Sequence, residues 1–159
     1  MDTPRTMPTH TRPTPLSGLH RTHQEAFLLC WKIGQGLEQG VVPQRIQALC
    51  THFFHTRLAP HFATKEKVVL PVLGDTHPLA IEALRAHQVL THLFIAASGT
   101  PEALPLLSRQ LKAYILAVEQ ELFPLVQQQA TEEELLRIEA AHDQFVEAPP
   151  SLWPDPFWM

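Results

Sequence analysis

Residues 16–34 read LSGLHRTHQEAFLLCWKIG. Core-type side chains recur in this stretch every three or four positions, which is the period of an α-helix that buries one face. The stripe consists of Leu16, Leu19, His23, Phe27 and Cys30. The pattern predicts an amphipathic helix that begins near Leu16 or Ser17 and ends between Gly34 and Gly40.

The next segment predicts a second, longer helix. Pro43 suits the first turn of a helix because the N–H that it lacks would have no partner there. The helical period continues past Pro60 until Pro71 and Gly74 interrupt it. A proline inside a helix removes one hydrogen bond and crowds the preceding turn, so a kink is predicted at Pro60, beside His61.

Two more helices of the same period follow. The third is predicted to begin at about 76–78 and to end where Ser-Gly-Thr at 98–100 breaks the pattern. The fourth is introduced by the prolines of segment 101–105 and ends near Pro124. Both carry one apolar stripe, so both are expected to bury one face.

A short fifth helix completes the predicted elements. Thr131 and Glu134 have the spacing of a capping box, which predicts a helix from this point through about Val146. No β-type alternation of useful length is present. The predicted fold class is all-α: an antiparallel four-helix bundle with a short fifth C-terminal helix, because four amphipathic helices with short connections pack most simply in this way.

The two ends of the chain differ in composition from the helical part. Residues 1–15 predict a Pro/Thr-rich tail, residues 16–147 the helical bundle domain, and residues 148–159 an aromatic, Pro-rich tail. The large apolar side chains of this last tail are Leu152, Trp153, Phe157 and Trp158. Such a surface is expected to dock, either on its own bundle or on a second copy of the chain in a homodimer.

Composition excludes several classes of partner. The formal net charge is −4, the isoelectric point is near 6.2 and Lys and Arg form no run, so nucleic acid is not an expected partner. No stretch approaches the roughly 18 consecutive apolar residues of a membrane span, and the N-terminal residues lack a signal-peptide core. Cys30 and Cys50 are predicted to be buried free thiols, which favours a cytoplasmic location.

Four polar side chains interrupt the apolar stripes. The core-facing stripe of each of the four long helices carries one of His23, His61, His87 and Tyr114. A buried polar group without a partner costs about 1 to 3 kcal/mol, so four such groups require an explanation. One explanation is a metal ion held between facing helices. The other is that each group hydrogen-bonds a neighbour in the core.

Three segments of the chain resemble the hemerythrin-like (HHE cation-binding) domain family. They are LHRTHQEAF at 19–27, HFATKE at 61–66 followed by Leu70 and Pro71, and EQELFP at 119–124. The resemblance covers about residues 16–126 and includes His87 in the third helix. In this family the second and fourth helices commonly end with an acidic pair followed by Leu-Phe-Pro or Leu-Leu-Pro, so the likeness between these two segments is a family trait.

The resemblance implies a non-haem iron site, usually two irons bridged by carboxylates. Proteins of this family bind dioxygen, sense oxygen or nitric oxide, handle iron or react with peroxide. Carried over by position, the resemblance implies that His23, His61 and His87 are ligands and that Glu119 is the bridging carboxylate of the fourth helix.

Other positions depart from the family pattern. Lys65 stands where the family has a bridging Glu, four residues after His61 and about 400° further around the helix, on the same face. Glu66 is rotated by roughly another 100° and remains a candidate ligand. Thr91 stands where a second histidine of the third helix is often found. Tyr114 replaces the histidine of the fourth helix and is a further candidate ligand.

The candidate metal site is therefore incomplete. Its residues are His23, His61, His87, Glu119, Glu66 and Tyr114. The ligands of one iron position are retained and those of the other are mostly lost, so one ion is favoured over two, with zinc possible in place of iron. Lys65 would repel a second dication or pair with Glu119 or Glu66. His20 would be an outer partner of the site or an alternative ligand.

Two functions are consistent with these observations. The first is a metal-binding protein that senses dioxygen, nitric oxide or redox state, or handles iron, with the metal ion and a small diatomic molecule as its partners. The second is a bundle without iron that acts as a protein-interaction or regulatory scaffold. No Ser/His/Asp order, Gly-rich phosphate loop or Cys-x-x-Cys pair is present, so any catalysis would have to come from the metal.

Overall fold

The computed structural model describes residues 16–143 and 153–159. Within these ranges the chain forms helices and no strands. The helices are α1 (Ser17–Glu38), α2 (43–72), α3 (Pro78–Ala97), α4 (103–129) and α5 (Glu132–Asp143). The all-α class and the five predicted helices are confirmed. The tail 1–15 and Val146, the predicted end of the fifth helix, lie outside the described residues.

Helices α2 and α4 are composed of several helical types. Helix α2 consists of Pro43–Phe53, a π turn at Phe54–Leu58, Ala59–Thr64, a second π turn at Lys65–Val69 and a 3₁₀ turn at Leu70–Val72. Helix α4 consists of Ala103–Ala117, a π turn at Val118–Leu122 and Phe123–Gln129. None of the helices in the described ranges is long and apolar enough to span a membrane.

Each of these π turns ends two residues before a proline. The prolines are Pro60, Pro71 and Pro124. Proline lacks the N–H that an α-helix uses, and its ring crowds the carbonyl four residues earlier, so a wider turn before it avoids the clash. A π turn precedes Pro60, where a kink is predicted; the kink itself stays a prediction. The same arrangement recurs before the other two prolines, and there the π turns carry Lys65 and Glu119.

The apolar stripes of the long helices share one core. Helix α4 lies against α1 and α3, and α2 also packs on α1 and α3. The side chains at 0 or 1% exposure include Leu19, Ile33, Leu90, Leu107, Leu111 and Ile115. Complete burial of one Leu or Ile side chain stabilises the fold by about 1.5–3 kcal/mol, so these stripes hold the helices together.

Helix α5 packs on α1 and on the 59–69 part of α2. The predicted capping box is present: Glu134 N donates to Thr131 Oγ1 over 3.1 Å, and Thr131 N donates to Glu134 Oε1 over 2.9 Å. His142 is buried, and its ring lies directly over Gly18 of α1. A Cβ at Gly18 would overlap this ring. Glycine is therefore required for α5 to pack closely on α1.

Residues 153–159 lie on the helices of their own chain. Phe157 is only 3% exposed, and Lys32 Nζ lies 4.0 Å from the centre of the Trp158 ring. Arg45 donates to both carboxylate oxygens of Asp155, over 2.6 and 2.9 Å. Of the two alternatives for the aromatic tail, packing on its own chain is confirmed for these residues; Leu152 lies outside the described part. A homodimer stays a prediction.

Candidate functional site

The polar side chains of the four stripes come together in the core. Helix α1 contributes His23, α2 contributes His61 and Lys65, α3 contributes His87 and α4 contributes Tyr114. All five side chains are buried, and Lys65 is 0% exposed. We call this group the Lys65 centre. The prediction that His23, His61, His87 and Tyr114 face a common interior is confirmed.

The amino group of Lys65 lies in the middle of this group. Its Nζ donates to His23 Nε2 over 2.8 Å and to Tyr114 Oη over 2.6 Å. It also lies 4.5 Å from the centre of the Tyr114 ring and 5.4 Å from that of Phe123, distances at which an ammonium is attracted to an aromatic face. The prediction that Lys65 pairs with Glu119 or Glu66 is wrong, because its hydrogen-bond partners are His23 and Tyr114.

One carboxylate lies behind His23. The Nδ1 atom of His23 donates to Glu119 Oε2 over 2.5 Å, and His20 Nδ1 lies 2.8 Å from the same oxygen. Burial alone would raise the pKa of Glu119, but the hydrogen bonds from His23 and His20 lower it below its ordinary value. Glu119 is therefore ionised at neutral pH, and His20 is an outer partner of the site.

A second carboxylate lies behind His87. Tyr114 Oη donates to His87 Nε2 over 2.7 Å, and His87 Nδ1 donates to Glu66 Oε2 over 2.7 Å. The Phe62 ring stacks on His87 with 4.1 Å between centroids, which fixes the imidazole plane. The Glu66 side chain is 43% exposed, so this side of the network reaches the surface.

The hydrogen bonds define a single path through the core. In order, it runs through Glu119, His23, Lys65, Tyr114, His87 and Glu66. Burial, and after it the charge of Lys65, lowers the pKa of His23 to about 4 and that of His87 to about 3. Both imidazoles are therefore neutral at pH 7. With the proton on Nδ1, each imidazole donates a hydrogen bond to a carboxylate, and the lone pair of its Nε2 faces the interior.

Tyr114 is held in its neutral form. Burial, and after it the Glu66 carboxylate, raises the pKa of Tyr114 well above its ordinary value of 10.0. Its hydroxyl accepts a hydrogen bond from Lys65 and donates one to His87, so it acts as both donor and acceptor.

His61 lies beside the path rather than in it. Its Nε2 is 3.1 Å from His23 Nε2, and the two rings meet edge to face with 4.9 Å between centroids. Burial, and after it the charge of Lys65, lowers the pKa of His61 well below 6.5, so the ring is neutral. Its Nδ1 is buried without a hydrogen-bond partner in the described part of the chain.

The arrangement of these residues does not fit a metal ion as it stands. A metal-binding imidazole commonly has a carboxylate on its other nitrogen, and Glu119 and Glu66 hold this outer position behind His23 and His87. The inner nitrogen of His23 accepts from the amino group of Lys65, and that of His87 accepts from Tyr114 Oη. The described residues contain no group of three or more His, Cys, Asp or Glu side chains that could hold an ion. The assignment of the six candidate ligands stays a prediction.

Sequence reasoning missed the central role of Lys65, although one signal for it was available. Lys65 follows His61 by four residues and so shares its buried face. Thr91 does not reach the centre, because its hydroxyl donates to the carbonyl of His87 one turn earlier, over 2.7 Å.

Comparison of the chain with protein-family models, with curated proteins and with solved structures gave no match. The resemblance to the hemerythrin-like family therefore rests on the three sequence segments and on the placement of their residues.

Proposed function

We propose that this chain is an antiparallel four-helix bundle of the hemerythrin-like type in which the amino group of Lys65 takes the place of the metal ion, and that it acts as a regulatory or protein-interaction scaffold. The observation that carries the proposal is the position of Lys65 Nζ, which donates to both His23 and Tyr114 in the core. The resemblance supplies the architecture, and the all-helical fold is consistent with it.

Replacing an ion by an amino group is physically consistent with this site. Burying an ammonium costs several kcal/mol, and the cost falls when the group donates hydrogen bonds and negative charge lies nearby. Lys65 has two acceptors in direct contact, His23 and Tyr114. Glu119 lies one imidazole further out, behind His23, and Glu66 lies behind Tyr114 and the next imidazole of the path. An amino group needs no convergence of carboxylates, which explains why both carboxylates can remain on the outer nitrogens.

Chelation tests the proposal. Dialysis of the purified chain against a strong chelator should leave its melting temperature unchanged, because no ion holds the core. The Lys67→Met variant, which changes an exposed lysine of the same turn, should behave like the wild type. A fall in melting temperature after chelation that added iron or zinc restores would contradict the proposal.

A second candidate function is the binding of one non-haem iron or zinc ion for dioxygen, nitric oxide or redox sensing, or for iron handling. The observation that favours it is the 3.1 Å separation of the Nε2 atoms of His23 and His61. Two ligands that lie about 2.1 Å from one ion at right angles are separated by about 3 Å. Lys65 would have to withdraw first. Titration of the chain with Fe(II) under nitrogen, followed by addition of nitric oxide, would then produce a new visible absorption band.

A cytoplasmic location belongs to the proposal as well. Cys30 and Cys50 are buried and free, as the sequence predicted. Burial raises the pKa of the Cys50 thiol to about 12, so it is unreactive at neutral pH. Buried, unpaired thiols support a reducing compartment.

A further inference from the structure

A cleft opens on the surface between α2 and α3, at the outer end of the hydrogen-bonded path. It has a volume of about 390 Å³ and its wall includes Phe54, Phe62, Glu66, Gln88 and His92. Clefts that bind small molecules commonly enclose about 300–1,000 Å³ and combine an apolar lining with a few fixed polar groups. The size of this cleft therefore suits a small organic ligand.

The apolar floor of the cleft is preformed. Phe62 stacks on His87 at 4.1 Å, and Phe54 stacks on Phe94 at 5.0 Å, so neither ring is free to rotate into the opening. Both phenylalanines line the cleft and are at least nine-tenths buried, so only a small part of each ring is exposed there. A rigid aromatic floor binds an apolar group without the loss of entropy that ordering a flexible wall would cause.

Glu66 gives the cleft its charge. Of the described residues that line it, Glu66 alone is charged when histidine is counted as neutral. His87 Nδ1 donates to Glu66 Oε2, which fixes the carboxylate, and this bond leaves Oε1 for another donor. Its side chain is 43% exposed, so a ligand can reach it without unfolding any helix.

We propose that this cleft binds a small organic ammonium compound, with its cationic group against Glu66 and its apolar body on Phe62 and Phe54. A fixed carboxylate beside an aromatic floor complements a molecule that has one positive charge and one apolar end. A cation that draws the carboxylate outward weakens the hydrogen bond from His87, so the His87 ring reports on binding. The site is independent of the proposed function, since it requires only the cleft and Glu66.

The experiment compares 2-phenylethylammonium with 2-phenylethanol, which has the same skeleton without the charge. Calorimetric titration of the full chain measures both affinities, and the imidazole signals of His87 locate the site by nuclear magnetic resonance. We expect the ammonium compound to bind at least about tenfold more tightly than the alcohol, because its bond to the carboxylate is charge-assisted. The His87 signals should shift with the same dissociation constant.

Two variants complete the test. Glu66→Gln keeps the shape of the side chain but removes its charge, and should reduce the preference for the ammonium compound to less than about twofold. Glu82→Gln changes an exposed carboxylate of α3 outside the cleft, and should keep the wild-type preference. Equal binding of the two compounds to the wild-type chain, absence of binding by both, or a preference that survives Glu66→Gln would each overturn the proposal.

Discussion

The pH dependence of stability above neutral pH depends on Lys65, and the Lys65→Met variant isolates it. Lys65 is fully buried, and no carboxylate of the described residues forms an ion pair with it, so burial lowers the pKa of Lys65 well below 10.5 although Glu119 opposes the shift. Between its folded pKa and 10.5, the lysine binds fewer protons in the folded chain than in the unfolded chain. The free energy of unfolding therefore rises with pH in this window and is reduced below it.

The magnitude follows from one proton. A full difference of one bound proton changes the free energy of unfolding by about 1.4 kcal/mol per pH unit, which is the largest slope that Lys65 can add between its folded pKa and 10.5. His23 and His87 do not contribute in this range, because their pKa values lie at about 4 and about 3 in the folded chain and near 6.5 in the unfolded chain. The wild type and the Lys65→Met variant share their cysteines and all other lysines. The contributions of these groups therefore cancel in the difference between the two free energies of unfolding.

Urea unfolding followed by circular dichroism at several pH values measures the effect. The wild type should gain stability over the Lys65→Met variant as the pH rises, and Lys67→Met, which alters an exposed lysine, should keep the wild-type slope. Equal slopes for wild type and Lys65→Met would show that burial does not govern the protonation of Lys65, and the reasoning would be refuted.

Three further predictions concern packing and hydrogen bonding. Gly18→Ala should destabilise the fold by about 1–3 kcal/mol, because the added Cβ overlaps the His142 ring. Gly34→Ala on the same helix should stabilise the fold by about 0.5–1 kcal/mol, because its Cβ meets open space. Thermal unfolding of both variants distinguishes the two signs. Tyr114→Phe should cost about 1–3 kcal/mol in urea unfolding because it removes one hydrogen bond to Lys65 and one to the α3 imidazole, and a loss below about 0.5 kcal/mol would contradict the path. Removal of residues 153–159 should lower the melting temperature, because this segment packs on its own chain. The number of chains per particle, measured by light scattering, should stay the same. Dissociation of a dimer on truncation would contradict this.

The helices could be predicted from the sequence because local signals agree with their packing. The stripe of α1 fixes its buried face, and Pro43 and Pro78 each fall in the first turn of a helix, where proline is tolerated. Thr131 and Glu134 form the predicted capping box because both bonds are local to one turn. The π turns were not predicted, because whether a helix bends, breaks or widens before a proline is decided by packing around it.

The members of the site could be predicted better than their roles. The stripe pattern brings His23, His61, His87 and Tyr114 together, but it does not say which nitrogen of an imidazole faces inward. Glu119 and the carboxylate of Glu66 lie on the outer nitrogens, a choice that depends on the rotation of each ring in three dimensions. The burial of His142 could not be predicted for a similar reason, since it depends on the contact with Gly18, 124 positions earlier in the sequence.

The metal content of the wild-type chain tests the central claim most directly. Elemental analysis of protein purified without added metal, and again after incubation with Fe(II) and removal of excess, gives the number of ions per chain. If Lys65 takes the place of the ion, the wild type should hold well under one ion in both samples. Lys65→Glu, which restores a carboxylate at this position, should then raise iron uptake above that of wild type and of Lys67→Glu. One tightly held iron or zinc ion per wild-type chain would contradict the claim.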